Sequence, residues 1–507
     1  MKRLCLMLLT LLSVLGVWAD GPFRDHRFDS FKVIAPAEGS ILFLGNSITD
    51  MHCWPEVFKT SEGNYLPIVN RGVSGTYSTE QSDNLESYLL NKPKKVFMMI
   101  GTNDLASTGG LNYTGEQILA YVKSIVGRVH LRYPGTKIYL YSILNNDTYN
   151  REPARWLHAN ELFKAYAEDT ENVTYIDLYD KLIDVNKNGV YSYDKLHLTA
   201  AAYQLWSETI CDYLAEGESY KVTSLYPANT ATAQNNGGLG ASNGMRATYF
   251  SMMPVTADDI LVFGDELVKN GEWQELLGNY NVKNRGTGWN RDGNIDTTSK
   301  LVDATFADNG VQKSSAKAIF VYTGTTDTDG KTAIATVKNN YAALVEKIEK
   351  KSPGTRIYLM ALAPTNDATR NSNYIVPLNE YIKSIATGNR EYVDTYTPLV
   401  SGTVANSKYI DKNNYLIGLG YVKMAQKMKE ALADDFTDKF VVLSDDEAKA
   451  MHAQMGLRNE LSQAMSSCLR VEAGESVGEI SSEAMASLNA EITKANALLA
   501  SGNISEV

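Results

Sequence analysis

The stretch ILFLGNSITDMHCWPEVF, residues 41–58, returns in altered form as ILVFGDELVKNGEWQELL at residues 260–277. In each place a short apolar run reaches a glycine, which permits a sharp turn, and then residues that commonly cap a helix. The apolar runs are too short for helices and are typical of fully buried strands. A strand, a turn and a helix start that recur about 220 residues apart indicate one domain present in two copies.

Three more pairs of segments follow in the same order in both halves of the chain. They are IVNRGVSG (68–75) with NVKNRGTG (281–288), KKVFMMIGTND (94–104) with AKAIFVYTGTTD (316–327), and YPGTKIYLYS (133–142) with SPGTRIYLMA (352–361). Amphipathic helical stretches such as residues 116–131 and 336–350 lie between them. Strands alternating with helices form parallel sheets covered on both faces. With right-handed crossovers, this predicts an α/β protein of two tandem three-layer αβα sandwiches with parallel sheets.

The N-terminus predicts export. Two basic residues precede an apolar run from Leu4 to Trp18, and Ala19 offers a small-residue cleavage site, as in a secretory signal peptide. The run is shorter than the about 20 apolar residues that a membrane-spanning helix needs. We therefore predict no membrane span and a periplasmic, cell-surface or extracellular protein. The formal net charge of -11 argues against nucleic acid and anionic membranes as partners.

Composition changes set the predicted domain boundaries. The predicted segments are a signal peptide at 1–19, a first copy at 20–217, a linker at 218–245, a second copy at 246–436 and a C-terminal helical region at 437–507. The linker contains the glycine-rich stretch NTATAQNNGGLGASNG (229–244). In the C-terminal region, apolar residues at helical spacing predict a helical hairpin, with core packing as their role. These residues are Met451, Met455, Leu457, Leu461 and Met465 in the first helix, and Met485, Leu488, Ile492 and Leu499 in the second.

Three of the four cysteines remain after cleavage of the signal peptide, namely Cys53, Cys211 and Cys468. A bridge between Cys53 and Cys211 is one option, but the sequence alone does not establish it. Because the number is odd, at least one thiol stays unpaired.

Ser47, in the turn after the first strand, raises a question of chemistry. Most serines at such turns only cap a helix. A serine becomes a nucleophile when a base can take its proton and donors can hold the oxyanion. The segment YSYDKLHLTAAAY (191–203) places Asp194 and His197 three residues apart before a helix. A lone histidine is more often packed or solvated, and an aspartate there can simply cap a turn, so the residues alone leave both interpretations open.

The first copy resembles the SGNH (GDSL-like) hydrolases. GNSIT, NRGVSG, GTND and DKLH occur in the order of the four signature blocks of that family, over about 200 residues. The resemblance implies an SGNH/flavodoxin-like sandwich that hydrolyses esters without any metal or organic cofactor. Two departures stand out: an asparagine replaces the aspartate of the name-giving motif, and SGTY lacks the acidic residue that follows the glycine in many relatives.

The resemblance also implies a role for each matching residue. Ser47 matches the nucleophile, and its backbone N–H would be one oxyanion donor. Gly75 would lend a second backbone N–H, and Asn103 a side-chain amide. His197 matches the general base, and Asp194 the carboxylate that orients it.

The second copy lacks these side chains. Glu266 stands in the place of Ser47, Thr326 of Asn103, Tyr415 of His197 and Lys412 of Asp194, while Gly288 still matches the glycine. We therefore predict a degenerate SGNH-like domain without hydrolase activity. A different acid-base or metal site built from Asp265, Glu266 and Asp327 is the alternative, although aspartates in turns commonly act as caps.

The leading hypothesis is a secreted carboxylic-ester hydrolase that removes short acyl groups such as acetyl from carbohydrate, including O-acetylated sugars or sialic acid. A lipid or aryl esterase is the first alternative, because aromatic residues between Tyr149 and Trp156 could form an apolar groove. A glycan-binding or adhesion protein with a vestigial hydrolase domain is the second. The implied partners are an acylated carbohydrate or other small ester, and a glycan or protein for the second copy.

Overall fold

Two parallel five-stranded sheets organise the chain, one in each copy. The computed structural model of the protein describes residues 22–34, 37–90, 92–144, 152–182, 190–228, 234–288, 293–432, 440–467 and 481–501. Helices flank both sheets, and all strands except the last one of each sheet are buried over most of their length. Such continuous apolar strands are expected where helices cover both faces of a sheet.

The first sheet has the strand order β3-β1-β4-β5-β6, with every neighbouring pair parallel. Its strands are β1 (Ile41–Gly45), β3 (Ile68–Gly72), β4 (Lys95–Met99), β5 (Lys137–Tyr141) and β6 (Val173–Ile176), and β2 (Phe58–Thr60) pairs antiparallel with β7 (Val222–Ser224). The helices are α1 (Pro22–Phe31), α2 (Ser47–Asp50), α3 (Ser78–Asp83), α4 (Leu85–Tyr88), α5 (Gly115–Arg132), α6 (Pro153–Glu168) and α7 (Ala200–Ala215), with a 3₁₀ turn at Trp54–Glu56.

The second sheet repeats that order as β9-β8-β10-β11-β12. Its strands are β8 (Ile260–Gly264), β9 (Val282–Gly286), β10 (Ala318–Tyr322), β11 (Arg356–Met360) and β12 (Arg390–Val393), followed by the short pair β13 (Val400–Ser401) and β14 (Val404–Ala405). The helices are α8 (Ala241–Met252), α9 (Glu266–Lys269), α10 (Trp273–Leu277), α11 (Ile295–Thr305), α12 (Ile334–Lys351), α13 (Ala368–Arg370), α14 (Val376–Ser384) and α15 (Gly418–Leu432), with a π-helical turn at Asn371–Ile375 and a 3₁₀ turn at Thr397–Leu399. The predicted tandem α/β sandwiches are confirmed.

The glycine that ends the first strand of each copy is required by close packing. A Cβ on Gly45 would lie 2.1 Å from the Thr49 hydroxyl, and a Cβ on Gly264 would lie 2.1 Å from the Tyr322 carbonyl oxygen. Real Cβ atoms do not approach so closely, so a side chain here would displace the following helix. The motif that the sequence shows twice is thus a sharp strand-to-helix turn in both copies.

The C-terminal region contains two helices that contact each other, α16 (Asp445–Ser467) and α17 (Ser482–Ser501). Met455 is buried as predicted, but Leu457 is 44% exposed, so its assignment to the core is wrong. The face that α16 turns toward the first copy is instead polar, and Ser462 donates a hydrogen bond of 2.7 Å to the Ser82 carbonyl oxygen. Apolar periodicity cannot reveal a polar contact face. The side chains of Leu488 and Leu499 lie outside the described residues.

The predicted linker, residues 218–245, contains structure that packs on the first copy. Strand β7 lies within it and pairs with β2, and α8 begins before it ends. The domain boundaries themselves remain a prediction.

The helix before each sheet reaches across to the other copy. Arg27, in α1, donates a hydrogen bond of 2.7 Å to the Asn270 carbonyl oxygen. Arg246, in α8, donates one of 2.8 Å to the Met51 carbonyl oxygen. Helix α1 also contacts α15, and α8 contacts α7. Since Arg27 and Arg246 stand at the same distance before β1 and β8, the two copies exchange equivalent contacts.

Two reciprocal ion pairs join the copies. Both Arg71 nitrogens contact the Glu275 carboxylate, at 2.9 and 2.7 Å. Arg285 likewise contacts the Glu56 carboxylate through both of its terminal nitrogens, at 2.8 and 3.0 Å. Arg71 and Arg285 follow the same asparagine in β3 and β9, as Glu56 and Glu275 follow the same tryptophan in the repeat. The interface is therefore self-complementary, like that of a two-fold symmetric dimer.

Glu56→Ala is expected to lower the free energy of unfolding by about 3–5 kcal/mol, because Arg285 would stay buried without its carboxylate. Denaturant unfolding monitored by circular dichroism measures the loss. Glu38→Ala is the matched control, since Glu38 is 79% exposed and lies 3.6 Å from Lys92, which is 66% exposed. Its effect is expected to stay below about 1 kcal/mol. Equal effects of the two substitutions would show that the buried pair does not hold the copies together.

Candidate active site

Ser47 is the first residue of α2, at the carboxyl end of β1. The helix is capped by Asn46, whose side-chain oxygen accepts a hydrogen bond of 3.1 Å from the Ile48 N–H. Tyr203, in α7, donates a hydrogen bond of 2.7 Å to the Ile48 carbonyl oxygen. Asn46 thus takes the capping role that Ser47 could have taken, so the serine hydroxyl is available for another contact.

The structure brings Ser47, His197 and Asp194 together. His197 Nε2 lies 2.9 Å from Ser47 Oγ, and His197 Nδ1 lies 2.6 Å from Asp194 Oδ2. An ionised carboxylate can only accept, so the imidazole donates from Nδ1 and presents Nε2 as an acceptor to the serine O–H. This is the arrangement in which a base can take a proton from a nucleophile.

Asp194 also shapes the turn that holds the histidine. Its Oδ1 accepts hydrogen bonds from the backbone N–H groups of Leu196 and His197, at 3.0 and 2.7 Å. Burial would raise the pKa of Asp194, but the hydrogen bonds from His197 and from these N–H groups outweigh it and lower the pKa to about 2. Asp194 is therefore ionised at neutral pH and able to stabilise a charged imidazole.

Gly75 and Asn103 follow β3 and β4, the two neighbours of β1, so both lie at the sheet edge that carries Ser47. Gly75 has a φ of 81°, which favours glycine. The Asn103 side-chain amide donates a hydrogen bond of 2.9 Å to the carbonyl oxygen of Thr76, the residue after Gly75. The side chain of Asn103 is thus linked to the loop that contains Gly75.

Asp104, directly after Asn103, was not singled out from the sequence. Its carboxylate accepts hydrogen bonds from the Ser78 N–H at 2.9 Å and the Ser78 hydroxyl at 2.5 Å. Burial raises the pKa of Asp104 to about 6. This contact links the loop that contains Asn103 to the start of α3. In the sequence, the only indication of Asp104 was its place as the aspartate of GTND.

The second copy also contacts the serine helix, which the sequence did not indicate. Asp50, in α2, lies 3.7 Å from Lys269 and 3.5 Å from Arg27, and it accepts a hydrogen bond from the Ser74 hydroxyl. Burial would raise the pKa of Asp50, but the charges of Lys269 and Arg27 lower it. The matching positions of Arg27 and Arg246 before the two sheets do not by themselves show that the copies contact each other.

The second copy has the same strand-to-helix turn at the corresponding place, but with different side chains. Glu266 begins α9 after the cap residue Asp265, whose Oδ1 accepts a hydrogen bond of 3.1 Å from the Leu267 N–H. Tyr415, which aligns with His197, stacks on His26 of α1 with ring centroids 4.3 Å apart. The residues aligned with Ser47 and His197 are thus a glutamate and a tyrosine, and their surroundings differ from those of the serine and the histidine.

Backbone N–H groups are the partners of several side chains around that turn. Asp411, and not the aligned Lys412, accepts the backbone hydrogen bond from Tyr415, at 2.8 Å. Asp265 and Asp327 both accept from backbone N–H groups, the latter from Ile295 at 3.0 Å. Within the described ranges, no group of three or more His, Cys, Asp or Glu side chains is placed to hold a metal ion. The alternative metal site of Asp265, Glu266 and Asp327 therefore has no support.

Cys53 and Cys211 are both free thiols, so the disulfide bridge that the sequence left as one option is wrong. Cys53 is buried at the interface, where Arg246 lies 3.2 Å from its sulfur.

Cys468 and the predicted signal peptide lie outside the described residues. In the part of the chain that the structure describes, no helix has the length and apolar character needed to cross a membrane.

Comparison with known proteins supports the repeat. The model of the GDSL-like Lipase/Acylhydrolase family matches residues 43–205 and 263–417. A structure described as "a putative platelet activating factor from Streptococcus pneumonia" is 27% identical, covering 41% of this chain and 98% of that one, with a TM-score of 0.35. A GDSL-like lipase from Bacteroides thetaiotaomicron is 21% identical, with coverages of 37% and 98% and a TM-score of 0.31. An acetyl esterase with an acetate ion is 17% identical, with coverages of 35% and 96% and a TM-score of 0.30. No curated protein matches the chain.

Proposed function

The chain belongs to the GDSL-like lipase/acylhydrolase family, and from this premise we propose that its first copy is an exported serine ester hydrolase. One observation carries the proposal: Ser47 Oγ lies 2.9 Å from His197 Nε2, with the ionised Asp194 behind the imidazole. Two parts of the chain that are far apart in sequence meet there in the geometry of a nucleophile and its base. A helix-capping serine has no need of such a partner.

In the proposed reaction, Ser47 Oγ attacks the ester carbonyl carbon while its proton passes to His197 Nε2. The resulting imidazolium donates from Nδ1 to Asp194 and then gives the Nε2 proton to the departing alkoxide, which leaves as the alcohol. A water molecule next loses a proton to His197 Nε2 and attacks the acyl-enzyme. The carboxylic acid leaves, and the proton returns to Ser47.

The negative charge on the former carbonyl oxygen needs donors in place before the reaction. The backbone N–H groups of Ser47 and Gly75 and the side-chain amide of Asn103 are the proposed donors. The hydrogen bond from Asn103 to Thr76 supports this proposal, because it fixes the amide beside the Gly75 loop. Removal of one such donor typically costs about 100- to 1000-fold in rate.

For the second copy we propose a domain without hydrolase activity. Its glutamate at the nucleophile position would place a negative charge where the oxyanion forms, and this opposes the transition state. The ion pairs of Lys269 with Asp50 and of Arg285 with Glu56 support a second role, which is to hold the serine helix and the adjoining 3₁₀ turn in place.

For the substrate we propose short acyl groups, chiefly acetyl, on extracellular carbohydrate such as O-acetylated sugars or sialic acid. The predicted signal peptide supports an extracellular substrate, since an exported hydrolase meets polymers outside the cell. The deep position of Ser47, which is 4% exposed, favours a small acyl group over a long chain.

The test is hydrolysis of a series of p-nitrophenyl esters by the mature chain, followed by acetate release from acetylated xylo-oligosaccharides and O-acetylated sialic acid. We expect kcat/KM for the acetate ester to exceed that for the octanoate ester at least about tenfold, a difference of about 1.4 kcal/mol in transition-state binding. A preference for octanoate would support the lipid esterase instead. Absence of turnover on every ester would contradict the proposed function.

A further inference from the structure

A cavity of about 290 Å³ opens in the second copy where the first copy has Ser47. Its wall comes from the loops after β8 and β10, from the residues around Arg370 and from the turn before α15. Glu266, Thr326 and Tyr415, which replace the proposed catalytic residues, all line it. Its volume lies near the lower end of the about 300–1,000 Å³ typical of small-molecule sites, so it suits a ligand of about one ring.

Polar side chains form the inner wall of this cavity. Asp265 and Glu266 are both nearly fully buried. Burial raises the pKa of Asp265 to about 7, so near neutral pH its carboxyl can either donate or accept a hydrogen bond. Such groups on the inner wall can exchange hydrogen bonds with a polar ligand.

The charges around the cavity nearly balance. Glu266 and Asp329 are negative, and Lys331 and Arg370 are positive. Lys331 lies 2.7 Å from Asp329, and the Arg370 Nε donates a hydrogen bond of 2.9 Å to the Thr328 carbonyl oxygen. Among the described residues of the wall, the carboxyl groups of Glu266 and Asp329 match the two cations in number, so there is no excess of positive charge that would favour an anion. A neutral ligand is therefore favoured.

An aromatic ring completes the wall. Tyr415 lies parallel to His26 of α1, with only 3° between the ring planes, so its orientation is fixed by the first copy. Thr326 and Asn414 add hydroxyl and amide groups nearby. A sugar ring presents hydroxyl groups, which both donate and accept, together with an apolar C–H face that packs on an aromatic ring. The combination in this cavity fits that chemistry.

We propose that the cavity of the second copy is a non-catalytic binding site for a neutral sugar, such as a hexose or N-acetylhexosamine unit of a glycan. The site is separate from the proposed active site and does not depend on ester hydrolysis by the first copy. It gives the degenerate copy a binding role in addition to its structural one.

Saturation-transfer NMR on the full mature chain tests the proposal. The probes are the methyl glycosides of glucose, galactose, mannose, N-acetylglucosamine and N-acetylgalactosamine, with N-acetylneuraminic acid as an anionic comparator. The protein carries Ser47→Ala, which prevents turnover of any ester. We expect saturation of at least one neutral glycoside, and weaker or no saturation of the anionic sugar.

Variants locate the binding. Thr326→Trp fills the cavity and is expected to weaken the affinity at least about tenfold. Thr387→Trp, at an exposed site of the same copy, is the matched control and is expected to leave the affinity unchanged. Asp329→Ala alters only the rim, where Asp329 is 26% exposed, and should weaken binding without disturbing the fold.

Three results would overturn the proposal: no saturation of any neutral glycoside, preference for the anionic sugar, or unchanged binding in both cavity variants. None of them bears on the proposed ester hydrolysis. That activity is measured separately on the chain with Ser47 intact, so the two proposals can fail independently.

Discussion

Replacement of Ser47 by alanine is expected to lower kcat for a short-chain ester by at least about 10⁴-fold. The substitution removes one oxygen atom, the one that lies 2.9 Å from His197 Nε2. Without that oxygen, no acyl-enzyme can form, and the remaining rate reflects only binding and the oxyanion donors. The helix should stay intact, because Asn46 and not Ser47 caps it.

Ser401→Ala is the matched control for this loss, since Ser401 is an exposed serine in β13 of the second copy. Its kcat is expected to remain within about twofold of the unmodified chain, as for most surface substitutions. Thermal unfolding should show the same midpoint for all three proteins. If Ser47→Ala kept a tenth or more of the activity, Ser47 would not be the nucleophile.

Asp194→Asn is expected to lower kcat by about 10⁴-fold while leaving the turn in place. An asparagine can keep its oxygen as the acceptor for the Leu196 and His197 N–H groups. Its amide would then face His197 Nδ1 as a donor, and this forces the imidazole proton onto Nε2. With a proton on Nε2, His197 cannot accept the proton of Ser47.

The measurement for Asp194→Asn is kcat across pH on the p-nitrophenyl acetate assay, together with the thermal midpoint. Asp177→Asn is the control, because Asp177 is an exposed aspartate that also accepts a local backbone hydrogen bond, from Asp180 at 3.2 Å. Its kcat should stay within about twofold. Loss of less than about tenfold in Asp194→Asn would mean that His197 is oriented by something other than this carboxylate.

Much of the fold could be predicted from the sequence because the signals are local. Apolar runs of strand length and glycines at their ends are determined by neighbouring residues, and the repeat shows each of them twice. Ser47, His197 and Asp194 could be named for a different reason, because they match the blocks of the GDSL-like family. Their meeting in space depends on the turn before α7, a helix that contacts the serine helix through the hydrogen bond from Tyr203 to Ile48.

The contacts between the copies could not be predicted, because they join residues about 200 positions apart. The equivalent positions of these residues in the repeat do not show which surfaces meet. Arg285 and Glu56 each look like an ordinary surface charge until the interface buries them both. The polar face of α16 was missed for the same reason. Ser462 is buried where it donates a hydrogen bond to Ser82, and the spacing of apolar residues does not reveal such a contact. The cavity around Glu266 could not be predicted either, because the sequence showed only that the second copy lacks the proposed catalytic side chains.

Labelling with a fluorophosphonate probe, followed by peptide mass spectrometry, tests the central claim most directly. Such probes form a covalent bond with a serine that an adjacent base activates. We expect one label per chain, on Ser47, and no label after His197→Ala. A label on a serine of the second copy, or an unlabelled Ser47 in a chain that hydrolyses esters, would contradict it.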